Sequence, residues 1–237
     1  SALAKITIGT GVTAIKARAF TSTSALKEVH YAGTIDQYAQ IVFGTSATSG
    51  TSTAVPFYAG KGSLYVNGDE LVTSAVINVN VSAYAFAYCG SLMSVTIGAG
   101  VTKINNYAFM YCYKKVEVIN LSSLTIALTD TKFSKNGGIG SNAKTVLTAA
   151  PETSNFIYDG DFVFYFDGTD YYLVNYLGND EIVTLPKDVN GNDYVVNGYA
   201  FYNKPNLVAI IVTADGQEFA NNAVNTCAGL KYLFLAE

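Results

Sequence analysis

Apolar residues recur along the chain in one spaced pattern that returns about every 23 residues. In one repeat, the apolar residues ahead of the pair Ala108-Phe109 are Leu92, Val95, Ile97, Val101 and Ile104. The same offsets before Ala19-Phe20 hold Leu3, Ile6, Ile8, Val12 and Ile15. The pattern returns from Leu26 and around Ala200-Phe201 and Ala223-Val224. A fixed period of this length predicts a solenoid, in which each repeat is one coil that buries its apolar residues against neighbouring coils.

Each repeat predicts a short strand that is followed by a turn. The segment Leu-x-x-Val-x-Ile ends in β-branched residues at alternate positions, which is typical of a strand with one buried face. Gly98-Ala99-Gly100 and Gly9-Thr10-Gly11 come next and predict a change of chain direction. The Ala-Phe pair then returns apolar side chains to the interior, so we expect a column of phenylalanines. Strands about 4.8 Å apart in successive coils would form one parallel sheet.

The three cysteines occupy one position of the repeat. The phrase that runs from Tyr84 to Cys89 returns from Tyr107 to Cys112, and Cys227 lies at the matching place in a later unit. The first interpretation is a small buried apolar residue in each coil. A disulfide between Cys89 and Cys112 is the alternative, because the two residues would lie on neighbouring coils.

The pattern is faint between residues 122 and 177, where we expect irregular coils. Within this region, two aromatic runs near 162–176 flank an Asp-Gly turn and predict a β-hairpin. Lys135–Asn142 is rich in glycine and predicts an exposed loop. Asp159-Gly160-Asp161 and similar segments fit turns better than calcium loops, because no Asp-x-Asp-x-Asp-Gly motif with a distal glutamate is present.

The repeat resembles the leucine-rich repeats of the BspA-like type, with their Leu-x-x-Ile-x-Ile, Val-x-x-Ile and Ala-Phe-x-x-Cys segments. Val29–Tyr38 and Leu64–Val72 are similar to two further phrases of that family. The resemblance covers roughly residues 1–121 and 158–237. It implies an α/β leucine-rich-repeat solenoid of right-handed coils. We expect a single domain over 1–237, with about ten coils and regular repeats at 1–121 and 178–237.

The same resemblance implies a bacterial protein that is secreted or held at the cell surface. Members of the family are implicated in attachment to host proteins or to other cells. The expected partners are therefore proteins or glycans on host or neighbouring cell surfaces. Strand-like units lie at both ends of the chain, where a natural solenoid needs polar caps, so we expect a mature or trimmed fragment of an extracellular protein. The absence of a signal peptide therefore indicates little about localisation.

The composition of the chain disfavours a nucleic-acid-binding protein and a membrane-spanning segment. Charged residues make up 14% of the chain and the net charge is −4, with no basic stripe, which disfavours a nucleic-acid-binding protein. The longest apolar run, near Leu207–Val212, is much shorter than a membrane span requires.

Catalytic motifs are not evident in the sequence. His30 is the only histidine and falls on an outward strand position without local partners, so we expect an ordinary surface residue. No Gly-x-Ser-x-Gly segment is present, and Gly137-Gly138-Ile139-Gly140 lacks the lysine of a phosphate-binding loop. Glu28 is the only carboxylate on the outward positions considered. We therefore predict a protein that is not an enzyme, with no cofactor and no metal.

The candidate binding face consists of the residues between the buried positions of each strand. It is polar in its N-terminal part and apolar near the C-terminus. Its residues are Lys5, Thr7, Glu28, His30, Ser94, Thr96, Ile211, Tyr232 and Phe234. Neighbouring exposed apolar residues often mark an interface, although an adjacent segment could equally cover them. The leading hypothesis is a non-catalytic adhesion or protein-interaction module, and the alternative is a structural spacer in a larger secreted protein.

Overall fold

The structure is a computed structural model that describes residues 2–45, 54–60, 62–130 and 133–235. The described residues form about nine β-solenoid coils with the 23-residue spacing and parallel sheets, which confirms the predicted fold class. The chain forms two compact units, residues 1–150 and 151–237. A single solenoid domain over 1–237 stays a prediction.

Unit 1 consists of short strands joined by turns and two short helices. Its strands are β1 (Lys5–Ile8), β2 (Ala14–Ile15), β3 (Glu28–Tyr31), β4 (Val42–Phe43), β5 (Ser63–Val66), β6 (Glu70–Leu71), β7 (Ser74–Ile77), β8 (Ser94–Ile97), β9 (Glu117–Asn120) and β10 (Thr145–Leu147). Its helices are α1 (Ile35–Ala39) and α2 (Phe57–Gly60), and a 3₁₀ turn covers Asn136–Gly138.

Unit 2 has strands only among its described elements. These are β11 (Phe156–Asp159), β12 (Phe162–Phe166), β13 (Tyr171–Tyr176), β14 (Ile182–Thr184), β15 (Tyr194–Val196), β16 (Ala209–Val212), β17 (Glu218–Phe219) and β18 (Tyr232–Leu235). The antiparallel pair β12–β13 confirms the predicted hairpin. At its turn, the Asp167 carboxylate accepts from the N–H groups of Thr169 and Asp170, both at 2.9 Å.

Successive coils pair in parallel, but the strands form several sheets where one was expected. In unit 1, the first sheet has the order β1-β3-β5-β6 and the second sheet β10-β9-β8-β7. The division follows from β6, which turns back after Asn67-Gly68 and pairs antiparallel with β5. It thereby occupies the edge of β5 that the next coil would otherwise use. In unit 2, the third sheet has the order β11-β12-β13-β15-β17 and the fourth sheet β14-β16-β18.

The repeated segment Tyr-Ala-Phe-x-Tyr-Cys forms backbone hydrogen bonds between neighbouring coils. The N–H of Phe86 donates to the carbonyl of Ala108 at 2.8 Å, and that of Tyr88 to Met110 at 2.7 Å. The intervening N–H groups close turns within the coil, as from Ala87 to the carbonyl of Tyr84. This alternation places Tyr84 and Tyr88 at φ of 65° and 62°, a left-handed conformation that is unusual for residues other than glycine.

The predicted phenylalanine column is confirmed in unit 1. The rings of Phe86 and Phe109 are stacked with centroids 5.2 Å apart and planes 7° apart. Both side chains are buried, as are the neighbouring Ala85 and Ala108. In unit 2, Phe201 is buried against the ring of Tyr176, at 5.3 Å. The core is therefore built by the residues that define the repeat.

The three cysteines are free thiols; Cys89 and Cys112 are buried, as their interpretation as core residues predicts, whereas Cys227 is only partly buried. Cys112 is buried, and its Sγ donates to the carbonyl oxygen of Phe86 at 2.9 Å. Cys227 makes the equivalent contact with Phe201 at 2.6 Å. The proposed Cys89–Cys112 disulfide is not formed. Burial raises the pKa of both Cys89 and Cys112, which keeps them protonated.

The prediction of an exposed loop at Lys135–Asn142 is wrong, because Gly137–Gly140 is buried. Gly137 lies against Ala108, with a φ of 60°, and its carbonyl accepts from the N–H of Phe109 at 2.9 Å. The ammonium of Lys115, which is fully buried, donates to the carbonyls of Ile139 and Ser141. The glycine-rich segment is thus a compact, irregular coil that packs on its neighbour.

Candidate functional site

The first sheet carries the polar part of the predicted binding face. Lys5 pairs in register with Glu28, and Thr7 with His30 and then Tyr65. Lys5 and Thr7 are exposed and Glu28 is partly exposed. The Lys5 ammonium lies 3.7 Å from the Glu28 carboxylate, an exposed ion pair that contributes little to stability.

His30 is 4% exposed, so the expectation of a surface histidine is wrong. Its ring is stacked on Tyr65, with centroids 4.3 Å apart and planes 2° apart. Its Nε2 lies 3.0 Å from a carboxylate oxygen of Glu28, and its Nδ1 lies 2.8 Å from Asp69 and 3.0 Å from the Gly68 carbonyl. The turn between β5 and β6 therefore encloses the ring.

The contacts of His30 engage both nitrogens of its ring. Nε2 faces the Glu28 carboxylate, and Nδ1 faces Asp69 and the Gly68 carbonyl. Neither nitrogen has a lone pair directed at an open site, as a general base or a metal ligand would need. In the described part of the chain, no group of three or more His, Cys, Asp or Glu residues is arranged to hold a metal ion.

The second sheet has a less accessible outward face than the sequence predicts. Ser94 is 5% exposed and Thr96 is partly buried, so the expectation that Ser94 lies on an open surface is wrong. Ser94 pairs with Glu117 across the strands, and its hydroxyl donates to the Glu117 carboxylate at 2.8 Å. A buried carboxylate requires such donors. This pair is therefore part of the packed structure.

The fourth sheet presents an exposed apolar surface, which we call the apolar stripe and define as Ile182, Ile211, Tyr232 and Phe234. Parallel pairing places Ile211 beside Phe234, and Ala209 between Ile182 and Tyr232. Ile182, Tyr232 and Phe234 are 60%, 53% and 51% exposed. The rings of Tyr232 and Phe234 are stacked, with centroids 5.7 Å apart. The structure thus brings the three C-terminal candidates, Ile211, Tyr232 and Phe234, together on one face.

The net charges of the two units differ in sign, which the net charge of the whole sequence does not reveal. Residues 1–150 contain eleven Lys and Arg and six acidic residues, a net charge of +5. Residues 151–237 contain three lysines and twelve acidic residues, a net charge of −9. The sum of −4 conceals this asymmetry, which a comparison of the two parts of the chain would have found.

Two grooves in unit 2 collect these carboxylates. A groove of about 430 Å³ lies along β13, β15 and β17 and is lined by Asp170, Asp193, Asp215 and Glu218 among other residues. A second groove of about 280 Å³ runs beside β14, and its lining includes Asp159, Asp161 and Asp180.

Partly buried polar contacts lie at and beside the second groove. The hydroxyl of Tyr176 donates to the Asp180 carboxylate at 2.6 Å. Burial and then this hydrogen bond raise the pKa of Tyr176 to about 12, so the phenol remains a donor at neutral pH. The Lys204 ammonium donates to the Gly178 carbonyl at 2.6 Å and lies 5.2 Å from the centre of the Tyr176 ring. Burial lowers the pKa of Lys204.

No helix among the described residues has the length and apolar character that a membrane span needs. A crystal structure of a leucine-rich cell surface protein from Faecalibacterium prausnitzii A2-165 is similar to this chain, with 21% identity and a TM-score of 0.35. The match covers 98% of this chain, which spans 60% of that protein. A search of curated proteins found no significant match.

The repeats themselves match a known family model. Six copies of the BspA type leucine rich repeat region match residues 1–53 and 74–144, which together make up more than half of the chain. This match and the 23-residue coils of the fold agree with the resemblance in the repeated phrases. The chain belongs to the BspA-type leucine-rich repeat family.

Proposed function

We propose that this chain is a non-catalytic module of a secreted or surface-attached bacterial protein that binds a macromolecule on a host or neighbouring cell. The apolar stripe of the fourth sheet carries the proposal. Neighbouring exposed apolar residues on a soluble protein often mark an interaction site. Aromatic side chains such as Tyr232 and Phe234 commonly provide most of the binding energy at such sites.

A protein is the partner that this surface favours over a glycan. Ile182 and Ile211 extend the aromatic pair with aliphatic side chains, which complement the apolar core of a protein interface. The stripe also lies on paired strands, so little conformational entropy is lost when it is covered. A leucine-rich repeat unit that carries such a surface suits adhesion or protein interaction without catalysis.

The test is binding to purified extracellular-matrix proteins, to a glycan array and to intact cells. For a partner found in this way, the double variant Tyr232→Ala/Phe234→Ala should weaken binding by about tenfold or more, because each aromatic anchor contributes about 2 kcal/mol at a typical hot spot. The matched control is Lys5→Ala/Thr7→Ala on the first sheet, which should bind as the unmodified chain does. Equal binding by the aromatic variant, with unchanged thermal unfolding, would contradict the proposal.

A structural spacer is the second candidate, and it applies best to unit 1. The polar residues of that unit's outward faces bond largely to one another, as His30 does to Glu28 and Asp69, and Ser94 to Glu117. Such a surface has fewer groups available for a partner. If variants of both sheets leave every binding partner unaffected, the spacer becomes the better explanation of the whole chain.

A further inference from the structure

Strand β14 has one free edge within the chain. It pairs in parallel with β16, and no other strand pairs with it in the described part of the molecule. The Glu181 carbonyl accepts from the Ala209 N–H, and the Leu185 N–H donates to the Ile211 carbonyl. Alternate residues of a strand direct their backbone groups to opposite sides. The N–H and C=O groups of Ile182 and Thr184 therefore point away from β16.

This free edge forms one wall of the 280 Å³ groove. Ile182, Val183 and Thr184 line it together with the hairpin turn at Asp159-Gly160-Asp161. Both Ile182 and Thr184 are exposed residues of this edge. An unpaired strand edge is a template for an added strand, and many proteins bind extended peptides in this way.

The charge of the groove selects the kind of peptide. Three carboxylates line it, and Lys204, which lies close enough to act on Asp161, offsets one of them. Asp159 and Asp161 are exposed, in a unit with a net charge of −9. An anionic ligand such as a nucleic acid or an acidic lipid would be repelled. A peptide with lysine or arginine side chains would gain charge-assisted hydrogen bonds.

We propose that an extended peptide segment of a protein partner adds to the free edge of β14 as a further strand. Its lysine or arginine side chains contact Asp159, Asp161 and Asp180. Side chains on one face of a strand recur at every second residue, so the segment carries its basic residues at alternate positions. This inference rests on the proposed protein-binding function and adds the chemistry of the partner and the place where it docks.

The test measures fluorescence anisotropy of a short labelled peptide, with lysine at every second position and valine between, against the full chain. Two other peptides serve as probes: one has glutamate in place of lysine, and one keeps lysine but has an N-methyl group on every backbone amide, so that neither edge of the peptide can donate. We expect the lysine peptide to bind and both others to bind at least about tenfold more weakly, since one lacks the charge and the other the backbone bonds.

Variants of the chain locate the binding. Asp159→Asn/Asp161→Asn should reduce the affinity about tenfold or more. The matched control Asp215→Asn/Glu218→Gln removes two charges from the other groove and should change it less than about threefold. Thr184→Pro should also abolish binding, because it removes one N–H that the added strand would use. The pairing of β14 with β16 should persist, because edge strands tolerate proline on their open side.

Three results would overturn the inference: absence of lysine-peptide binding, equal binding of the N-methylated peptide, or an equal loss in the two charge variants. Equal binding of the N-methylated peptide, or an equal loss in the two charge variants, would mean that the acidic unit attracts the basic peptide by charge alone and that no strand is added. Failure of the inference is distinguishable from failure of the proposed function. Suppose that the lysine peptide does not bind, but that Tyr232→Ala/Phe234→Ala weakens binding of a macromolecular partner as predicted. The proposed function then holds, and only the docking of a basic strand at β14 is wrong.

Discussion

The thiol of Cys112 donates a hydrogen bond to the carbonyl oxygen of Phe86, 2.9 Å away, and so joins two neighbouring coils. Cys227 and Phe201 repeat this contact in unit 2. Thr23 replaces the cysteine in the first coil, and its hydroxyl donates to Phe20 of the same coil at 2.8 Å. At Cys112 and Cys227 this position of the repeat therefore supplies a thiol donor for the phenylalanine carbonyl of a neighbouring coil, whereas the Cys89 sulfur lies 3.5 Å from the Ser91 hydroxyl.

We expect Cys112→Ala to lower the free energy of unfolding by about 1–2 kcal/mol, because it removes a buried thiol and its hydrogen bond. Urea denaturation measures the change. Cys227→Ala is the matched control: it removes the same contact at a half-buried site, and its cost should be smaller. Equal losses in the two variants would mean that burial does not determine the contribution of this position.

The buried ammonium of Lys115 predicts a pH dependence of stability. Burial lowers the pKa of Lys115 to about 8, against about 10.4 for an unfolded chain. Between these values the unfolded state binds more protons, so this group makes the free energy of unfolding rise with pH. The thiols of Cys89 and Cys112 act in the opposite direction above about pH 8.5, because burial raises their pKa.

Comparing the unmodified chain with Lys115→Met isolates the contribution of the lysine to the pH dependence of stability, because both proteins keep the cysteines. Relative to this variant, the unmodified chain should gain about 2 kcal/mol between about pH 8 and pH 9.5. Urea denaturation at several pH values gives the difference. The exposed Lys103 provides the control, and Lys103→Met should show no such trend. A constant difference between the unmodified chain and Lys115→Met would contradict a lowered pKa.

The enclosure of His30 predicts that this residue orders the turn between β5 and β6. His30→Leu would remove the imidazole that contacts both Glu28 and Asp69, but because the side chains of these two residues are 44% and 85% exposed, water solvates them and the cost should be no more than about 1 kcal/mol. Hydrogen exchange of the amides at 67–71 should become faster. Lys5→Met removes only exposed ion pairs and should cost less than about 1 kcal/mol. Unchanged exchange in His30→Leu would show that the turn is held without the histidine.

Local pattern was sufficient for most of the fold. The alternate apolar residues predicted the strands, the glycines at 98 and 100 predicted a turn, and the Val101 N–H does close it on the Gly98 carbonyl at 3.0 Å. The Ala-Phe pairs predicted the core column. The same pattern did not predict β6, because a short antiparallel strand depends on the Asn67-Gly68 turn rather than on the repeat period.

The candidate site was harder to predict, because exposure depends on residues that are distant in sequence. His30 and Ser94 occupy outward strand positions as expected, yet both are buried by contacts with Asp69 and Glu117. Lys115, by contrast, is a charged residue that the fold buries because its ammonium satisfies two carbonyls of another coil. Of these contacts, only Ser94–Glu117 spans one repeat of 23 residues; the contacts of His30 and Lys115 have no periodic signature.

The sequence by itself determined the coil, its period, its core and the family, because these depend on the spacing of apolar residues that each coil repeats. Only the tertiary structure decided which outward residues remain accessible, since turns and side chains from other coils cover some strand positions and leave Tyr232 and Phe234 open. It also decided that the free edge of β14 and the carboxylates of the neighbouring hairpin meet in one groove, because strands join sheets according to their hydrogen-bonded neighbours and not their order in the chain.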